Sequence, residues 1–470
     1  MKYHFPRRQP ENGDPADKPR MFKAGFAAGV TAVASVILAA VYLGSGIVER
    51  RVTGIEEARV LGTPVRAGLA DASAVFLMTA QKEIRTVPGS RRWQPYRKIE
   101  TVTHFDLWRF DGRTAQPAWR KRLLTTSESV NFMDAGVAGA DGDRLWVFLR
   151  EPLLVSAATG DVIHGATEIE ARNPPLQGVL PRKRNHYVFF DGHGLVFTAA
   201  DARAWRLDAQ TLKASPWEPN KAVRRAEAVG PPYYAASSVT GFQQRGLLLE
   251  RDWLGVLTDA EAAALNGPVK VPGAKPGERR GAMAKFLEYN RAPPRLEHAG
   301  PKRYRLWRAK VEQVSAAPED WPKHFPDNWG KRPRYGSFTV FEKSPEFLQA
   351  GLLGDGRSRL PVLLTNPDSV LVLHRDRIDD KGVVHLTRIA GPDGHTLWNA
   401  ALPLSLVQAV IPTGGRLLLF GRQYVQKQNE VGDPYHGAHE WLVSLDTASG
   451  AVQAFDITAV DIAHRPRNAM

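Results

Sequence analysis

Cysteine is absent from the 470 residues, so neither a disulfide nor a lipid-modified cysteine is available. Asn-x-Ser/Thr acceptors are missing too, which suits a bacterial envelope better than a eukaryotic secretory route. No G-x-S-x-G elbow, H-E-x-x-H pair or EF-hand loop occurs. Residues 351–358 (GLLGDGRS) come near a phosphate-binding loop, but Arg357 stands where lysine is required and no helix pattern follows. Long stretches with a 3.6-residue period are scarce after residue 50. These absences remove the common hydrolase, metalloprotease, calcium-loop and nucleotide readings.

Charge is absent from one run, Ala24 to Val48, which is 25 residues long. At about 1.5 Å per residue such a helix outreaches the roughly 30 Å hydrocarbon core of a bilayer. A cleaved signal would have an apolar region about half that length. Ahead of it, residues 1–23 carry six Lys or Arg against three acids, which favours keeping the N-terminus in the cytoplasm. The expected order is a basic cytoplasmic tail (1–23), a transmembrane helix (24–48), a periplasmic body (49–458) and a C-terminal tail (459–470). That address sets aside nucleic acid, which the net charge of +14 could otherwise suggest.

The body reads as strands. Arg144–Leu149, His186–Phe190, Gly194–Thr198, Ser369–His374 and Arg416–Phe420 are short apolar runs. Asp-Gly follows at 111, 141, 191, 355 and 393, a dipeptide that supplies the positive φ of a tight hairpin. Five hairpins share one signature, most fully in Glu440–Phe455 (EWLVSLDTASGAVQAF). Leu107–Trp119, Leu154–His164, Ala204–Trp217 and Leu386–Trp398 keep parts of it, with Asp111, Ser156, Asp208, Ala390 and Asp446 as equivalent positions. These segments resemble the repeat of quinoprotein-type β-propellers, close to A-x-D-x-x-T-G-x-x-x-W. The resemblance implies an all-β propeller of four-stranded blades. Equivalent positions 45 to 56 residues apart allow six to eight blades, seven or eight being preferred.

One region departs from the pattern. Val256–Leu265 predicts a short helix capped by Thr258, with Glu261 in capping-box register. A basic, aromatic, Pro-rich insertion follows over about 266–345. Residues 270–345 hold 17 Lys or Arg against 8 Asp or Glu. Lys302, Arg303, Arg305, Trp307 and Arg308 are its candidate ligand-binding residues, since cations attract anionic groups and aromatic rings stack on sugars or peptides. His436 and His439, flanked by Asp433 and Glu440, are a candidate metal pair, set against a solvated hairpin loop.

The resemblance also suggests an oxidoreductase using a quinone and calcium. The adjacent cysteine pair of many such enzymes is missing, and no convincing Asp/Glu/Asn set for calcium is visible. The expectation is therefore no cofactor and no catalytic residue. The leading reading is a scaffold of the bacterial inner membrane, its body in the periplasm, that docks a protein partner or an anionic envelope component. The alternative is a quinoprotein-type oxidoreductase or a hydrolase working in the propeller's central channel.

Overall fold

The computed structural model describes residues 51–69, 72–87, 98–190, 192–218, 245–249, 251–267, 302–314, 332–354, 369–378, 382–413, 415–428 and 434–459. The expected span 24–48, both tails and much of the basic insertion lie outside them. Among the described residues, no helix is long and apolar enough to cross a membrane. The chain divides into two compact units: residues 1–53 with 85–100, and residues 54–84 with 101–470. The described part of the first is three short strand ends, at 51–53, 85–87 and 98–100. The apolar cores all belong to the second.

The fold is all-β, as the short apolar runs predict. The first sheet holds β1 (Arg51–Ile55), β2 (Arg59–Leu69), β3 (Ala72–Val87), β4 (Lys98–Asp111) and β5 (Pro117–Thr126). The second is β6 (Ala135–Asp141), β7 (Arg144–Leu149), β8 (Glu151–Ser156) and β9 (Val162–His164). After helix α1 (Ala166–Arg172) comes the third, with β10 (Tyr187–Phe190), β11 (Gly194–Thr198), β12 (Ala204–Leu207) and β13 (Ala214–Pro216). A nine-stranded sheet follows. Its first part is β14 (Gly246–Leu249), β15 (Asp252–Leu257), β16 (Arg303–Val314), β17 (Arg332–Tyr335) and β18 (Thr339–Val340), with helix α2 (Asp259–Asn266) between β15 and β16. Its second part is β19 (Phe347–Leu352), β20 (Ser369–Arg375), β21 (Val384–Ala390) and β22 (Thr396–Leu402). Among the described residues, strand pairing between the two parts is limited to Arg303↔Leu348 and Tyr304↔Phe347, and an apolar core is shared across them. The last sheet is β23 (Leu406–Thr413), β24 (Arg416–Gln428), β25 (Pro434–Asp446) and β26 (Val452–Asp456).

Both faces of these sheets are apolar, and the cores lie between sheets. Phe76, Met78, Phe105 and Leu107 of the first sheet share a core with Val137, Leu145 and Val147 of the second. Trp146, Phe148 and Leu154 pack with Leu195, Phe197 and Leu207 of the third. Leu371, Leu386 and Trp398 pack with Leu417, Leu419 and Val443 of the last. The last sheet in turn packs on the first, through Leu418, Phe420 and Leu442 against Val75, Leu77, Trp108 and Phe110.

The five repeat turns have one geometry. In each, the N–H of the fifth residue donates to the C=O of the first, at 2.8 to 3.0 Å. That fifth residue takes a left-handed φ: Ala115 56°, Gly160 75°, Leu212 57°, Gly394 81° and Gly450 75°. Glycine is favoured there because an L side chain in that region costs about 1–2 kcal/mol. Ala115 and Leu212 are fully buried, and burial of their side chains offsets part of that cost. Asp111, Asp208 and Asp446 accept from the backbone N–H groups two and three positions on, at 2.6 to 3.2 Å.

A side chain of a neighbouring sheet, or for Gly394 of the residues between β18 and β19 in the same sheet, docks on each of these turns. A Cβ on Gly160 would meet Trp119 at 2.8 Å, one on Gly450 would meet Trp398 at 2.9 Å, and one on Gly394 would meet Phe341. Arg144 donates to Ala209 O. Ser444 of the last sheet donates to Arg113 O of the first at 2.5 Å. The turn edges of adjoining sheets are thereby aligned.

Within the sheets most consecutive strands pair antiparallel, the exceptions being β1–β2, β17–β18 and β18–β19, so connections alternate between two edges. The turn edge carries 112–116, 142–143, 157–161, 208–213, 391–395 and 447–451. The opposite edge carries 165–186 and helix α2, which follows β15.

Candidate functional site

The basic residues singled out by sequence sit where β16 leaves the opposite edge. Strand alternation sends Tyr304 and Leu306 into one core and Trp307, Ala309 and Val311 toward the core under α2. Lys302, Arg303 and Arg308 are exposed and Arg305 is half-buried. Helix α2 lies beside them, started by the capping box read from sequence: Glu261 N–H donates to Thr258 Oγ1 at 3.1 Å, and Thr258 N–H to Glu261 Oε2 at 2.9 Å. Thr258, Ala260, Glu261, Ala264, Lys302 and Arg303 line a shallow depression of about 480 Å³.

Most of these cations already face a carboxylate. Lys302 Nζ is 3.8 Å from Glu261, Arg303 is 2.8 Å from Glu346, and Arg305 is 3.8 Å from Asp259. Arg308 instead lies over the Phe341 ring at 5.2 Å. The surface is therefore mixed in sign, and exposed pairs of this kind contribute about 0–1 kcal/mol each. They exchange readily for an incoming anion. Trp307 is part of the fold, donating from Nε1 to Leu257 O at 3.1 Å.

Sequence reading missed the residues beneath. Arg245 is buried and grips Glu261 with both terminal nitrogens, at 3.0 and 2.6 Å. Its guanidinium lies 4.8 Å over Tyr304. Burial pushes the Glu261 carboxyl up, but the Arg245 and Thr258 hydrogen bonds outweigh it and hold it below its ordinary value. Glu261 was legible as a capping residue; Arg245 has no local signal, because its partners lie 16 and 59 positions on.

The two histidines of the metal reading lie in β25, not in a loop. His436 is opposite Gln426 and His439 opposite Gln423. His439 Nδ1 sits 2.7 Å from Asp456 Oδ2. Among the described residues, no three His, Asp or Glu side chains come together as a metal site.

Two polar clusters went unnoticed in the sequence. On the first sheet, Glu83 Oε2 is 2.7 Å from His104 Nε2, and His104 Nδ1 is 3.1 Å from Thr125 Oγ1. An acid, an imidazole and a hydroxyl in line can activate a nucleophile. Here Arg122 Nη1 also reaches His104 Nδ1, at 2.7 Å, and occupies the lone pair that a base would use. The donor pattern fixes a neutral ring with its proton on Nε2. Burial lowers the His104 pKa, with Arg122 adding to the effect and Glu83 opposing it. Asp106, buried alongside, is held by Arg120 and Arg122.

The second cluster lies on β20–β22. His374 and His385 are register partners with rings stacked at 5.5 Å. His374 Nε2 is 2.7 Å from Thr387 Oγ1, which donates to Asn399 Oδ1 at 3.0 Å. Burial, with His385 beside it, lowers the His374 pKa to about 4.

No protein-family model matches the chain, and no curated protein matches it either. Its function must be argued from its own residues. The calcium and quinone implied by the resemblance do not fit the described residues. Each buried carboxylate is already taken: Asp106 by two arginines, Glu440 by Arg422 and Glu83 by His104.

Proposed function

We propose that this chain is a single-pass bacterial inner-membrane protein whose periplasmic body is a non-catalytic β-propeller scaffold, docking a protein partner or an anionic envelope component. Dividing the nine-stranded sheet at its two-residue contact gives six blades among the described residues, the low end of the range the repeat spacing allows. One observation carries the propeller reading. The last sheet docks on a turn of the first, Ser444 to Arg113, as the first docks on the second through Trp119, the second on the third through Arg144, and β19–β22 on the last sheet through Trp398. Apolar packing joins the same two sheets, so closure needs no shared strand.

The scaffold reading is supported by the state of the buried polar groups. The buried acids and His104 are neutralised within the fold, as structural networks are. Ligand chemistry is then left to the surface, where the weakly paired cations of β16 are the best anion contact.

Two experiments test the proposal. Alkaline phosphatase fused after Val48 should be active in a bacterial host, and an inactive fusion overturns the topology. Reversing charge at Lys302, Arg303, Arg305 and Arg308 in the full chain should abolish capture of its partner from envelope extracts. Unchanged capture removes this surface from the proposal. Dye reduction by the purified chain after adding quinone and calcium would instead revive the oxidoreductase alternative.

A further inference from the structure

The turn edge is sealed by docked side chains, whereas the opposite edge leaves apolar groups uncovered. Of the nine large apolar side chains exposed among the described residues of the second unit, five lie at the opposite edge: Ile55, Met133, Ile378, Val383 and Tyr424. Met133 is 62% exposed, in the connection from β5 to β6, and Ile378 is 53% exposed, between β20 and β21. Tyr424 lies on the β24–β25 hairpin beyond the reach of its flanking strands, whose registers end at Leu406↔Arg422 and Trp441↔Asp456. Arg182 and Lys183 are exposed in the connection from β9 to β10 on the same edge.

Connectivity says what this edge faces. The apolar run ends at Val48 and the second unit begins at Gly54. Those six steps reach at most about 20 Å at roughly 3.4 Å each. The chain joins the unit at the opposite edge, because Glu56 N–H donates to Lys82 O. Lys82 lies past the end of the β2–β3 register, Arg59↔Ala80, on the side of the 88–97 connection. The proposed anchor keeps Gly54, at this edge, within that reach of the bilayer.

We infer that the opposite edge rests on the lipid surface, with Met133, Ile378, Val383 and Tyr424 in the headgroup region and Arg182 and Lys183 against anionic headgroups. The inference rests on the proposed anchor. Tyrosine suits that zone because its ring is apolar and its hydroxyl stays wet. A few such contacts are weak in a free domain. Tethering makes them intramolecular, so they orient the body without any need to bind membranes alone.

The cysteine-free chain allows a direct test. Met133→Cys, Ile378→Cys and Tyr424→Cys, with Leu397→Cys on a turn-edge strand as reference, are each labelled with an environment-sensitive fluorophore. The full-length protein is reconstituted in liposomes of phosphatidylethanolamine and phosphatidylglycerol containing a lipid-borne quencher. The labels at 133, 378 and 424 are expected to be quenched at least threefold more than the label at 397. Alkaline carbonate extraction separates the two ways of failing. Release of the protein overturns the anchor and this inference together. Retention with equal quenching at all four sites overturns this inference alone and leaves the edge to a protein partner.

Discussion

The two edges of the sheets differ in how their polar groups are satisfied. At the turn edge, five turns close the same hydrogen bonds and a side chain of another segment docks on each. At the opposite edge, hairpins project, connections lengthen, and charged groups satisfy one another. A short turn with a fixed backbone can be packed against, because its surface does not vary. Long connections leave room for ligand contacts without disturbing the cores, which is where function is usually carried.

The largest effect expected belongs to the turn edge. Trp398 covers Gly450 and donates to Thr447 O at 2.9 Å, so Trp398→Ala should cost about 3–5 kcal/mol, read as a large drop in urea midpoint. Little change would mean the seams do not depend on docked turns. Glu440→Ala comes next, at about 3 kcal/mol. It removes the acceptor of Val60 N–H and of Arg422, between the last and first sheets. A loss as large as that of Trp398→Ala would put the opposite edge on a par with the turns.

A pH series sharpens the contrast. Because the folded pKa of His374 is lowered to about 4, the unfolded chain takes up its proton first as pH falls below the ordinary imidazole value near 6.5. Stability should therefore fall between about pH 6.5 and 4, by on the order of 2 kcal/mol after allowing for partial exposure. His374→Gln should flatten that limb in thermal melts from pH 7 to 4. Thr211 and Ser449 hold Asp208 and Asp446 below their usual values, so the turn-edge contribution should be lost only at more acid pH.

Smaller effects complete the series. Ala115→Gly should change stability by less than about 1 kcal/mol, relief of the left-handed φ competing with added chain entropy. A larger loss would show that the buried methyl matters more than the backbone. Tyr424→Ser should leave the melting curve within about 0.5 kcal/mol of the parent, and a larger loss would mean the hairpin supports the fold.

The residues alone determined the strands, the five hairpin turns and the start of α2, since all three depend on neighbours within a few positions. Asp-x-x-Thr and Gly at fixed offsets suffice for a turn, and Thr258 with Glu261 suffices for a helix start. Exceptions such as Ala115 and Leu212 were still found, because their neighbours kept the register. Lys302, Arg303, Arg305 and Arg308 were legible as a basic stretch, but not as cations facing Glu261, Glu346, Asp259 and a phenylalanine ring. Only tertiary structure decided that mixed surface, the Arg245–Glu261 pair, the His104 and His374 clusters and the docking of Ser444 on Arg113. Those contacts join residues 11 to 331 positions apart. Which distant groups meet depends on how whole sheets pack, and no local pattern of residues encodes it.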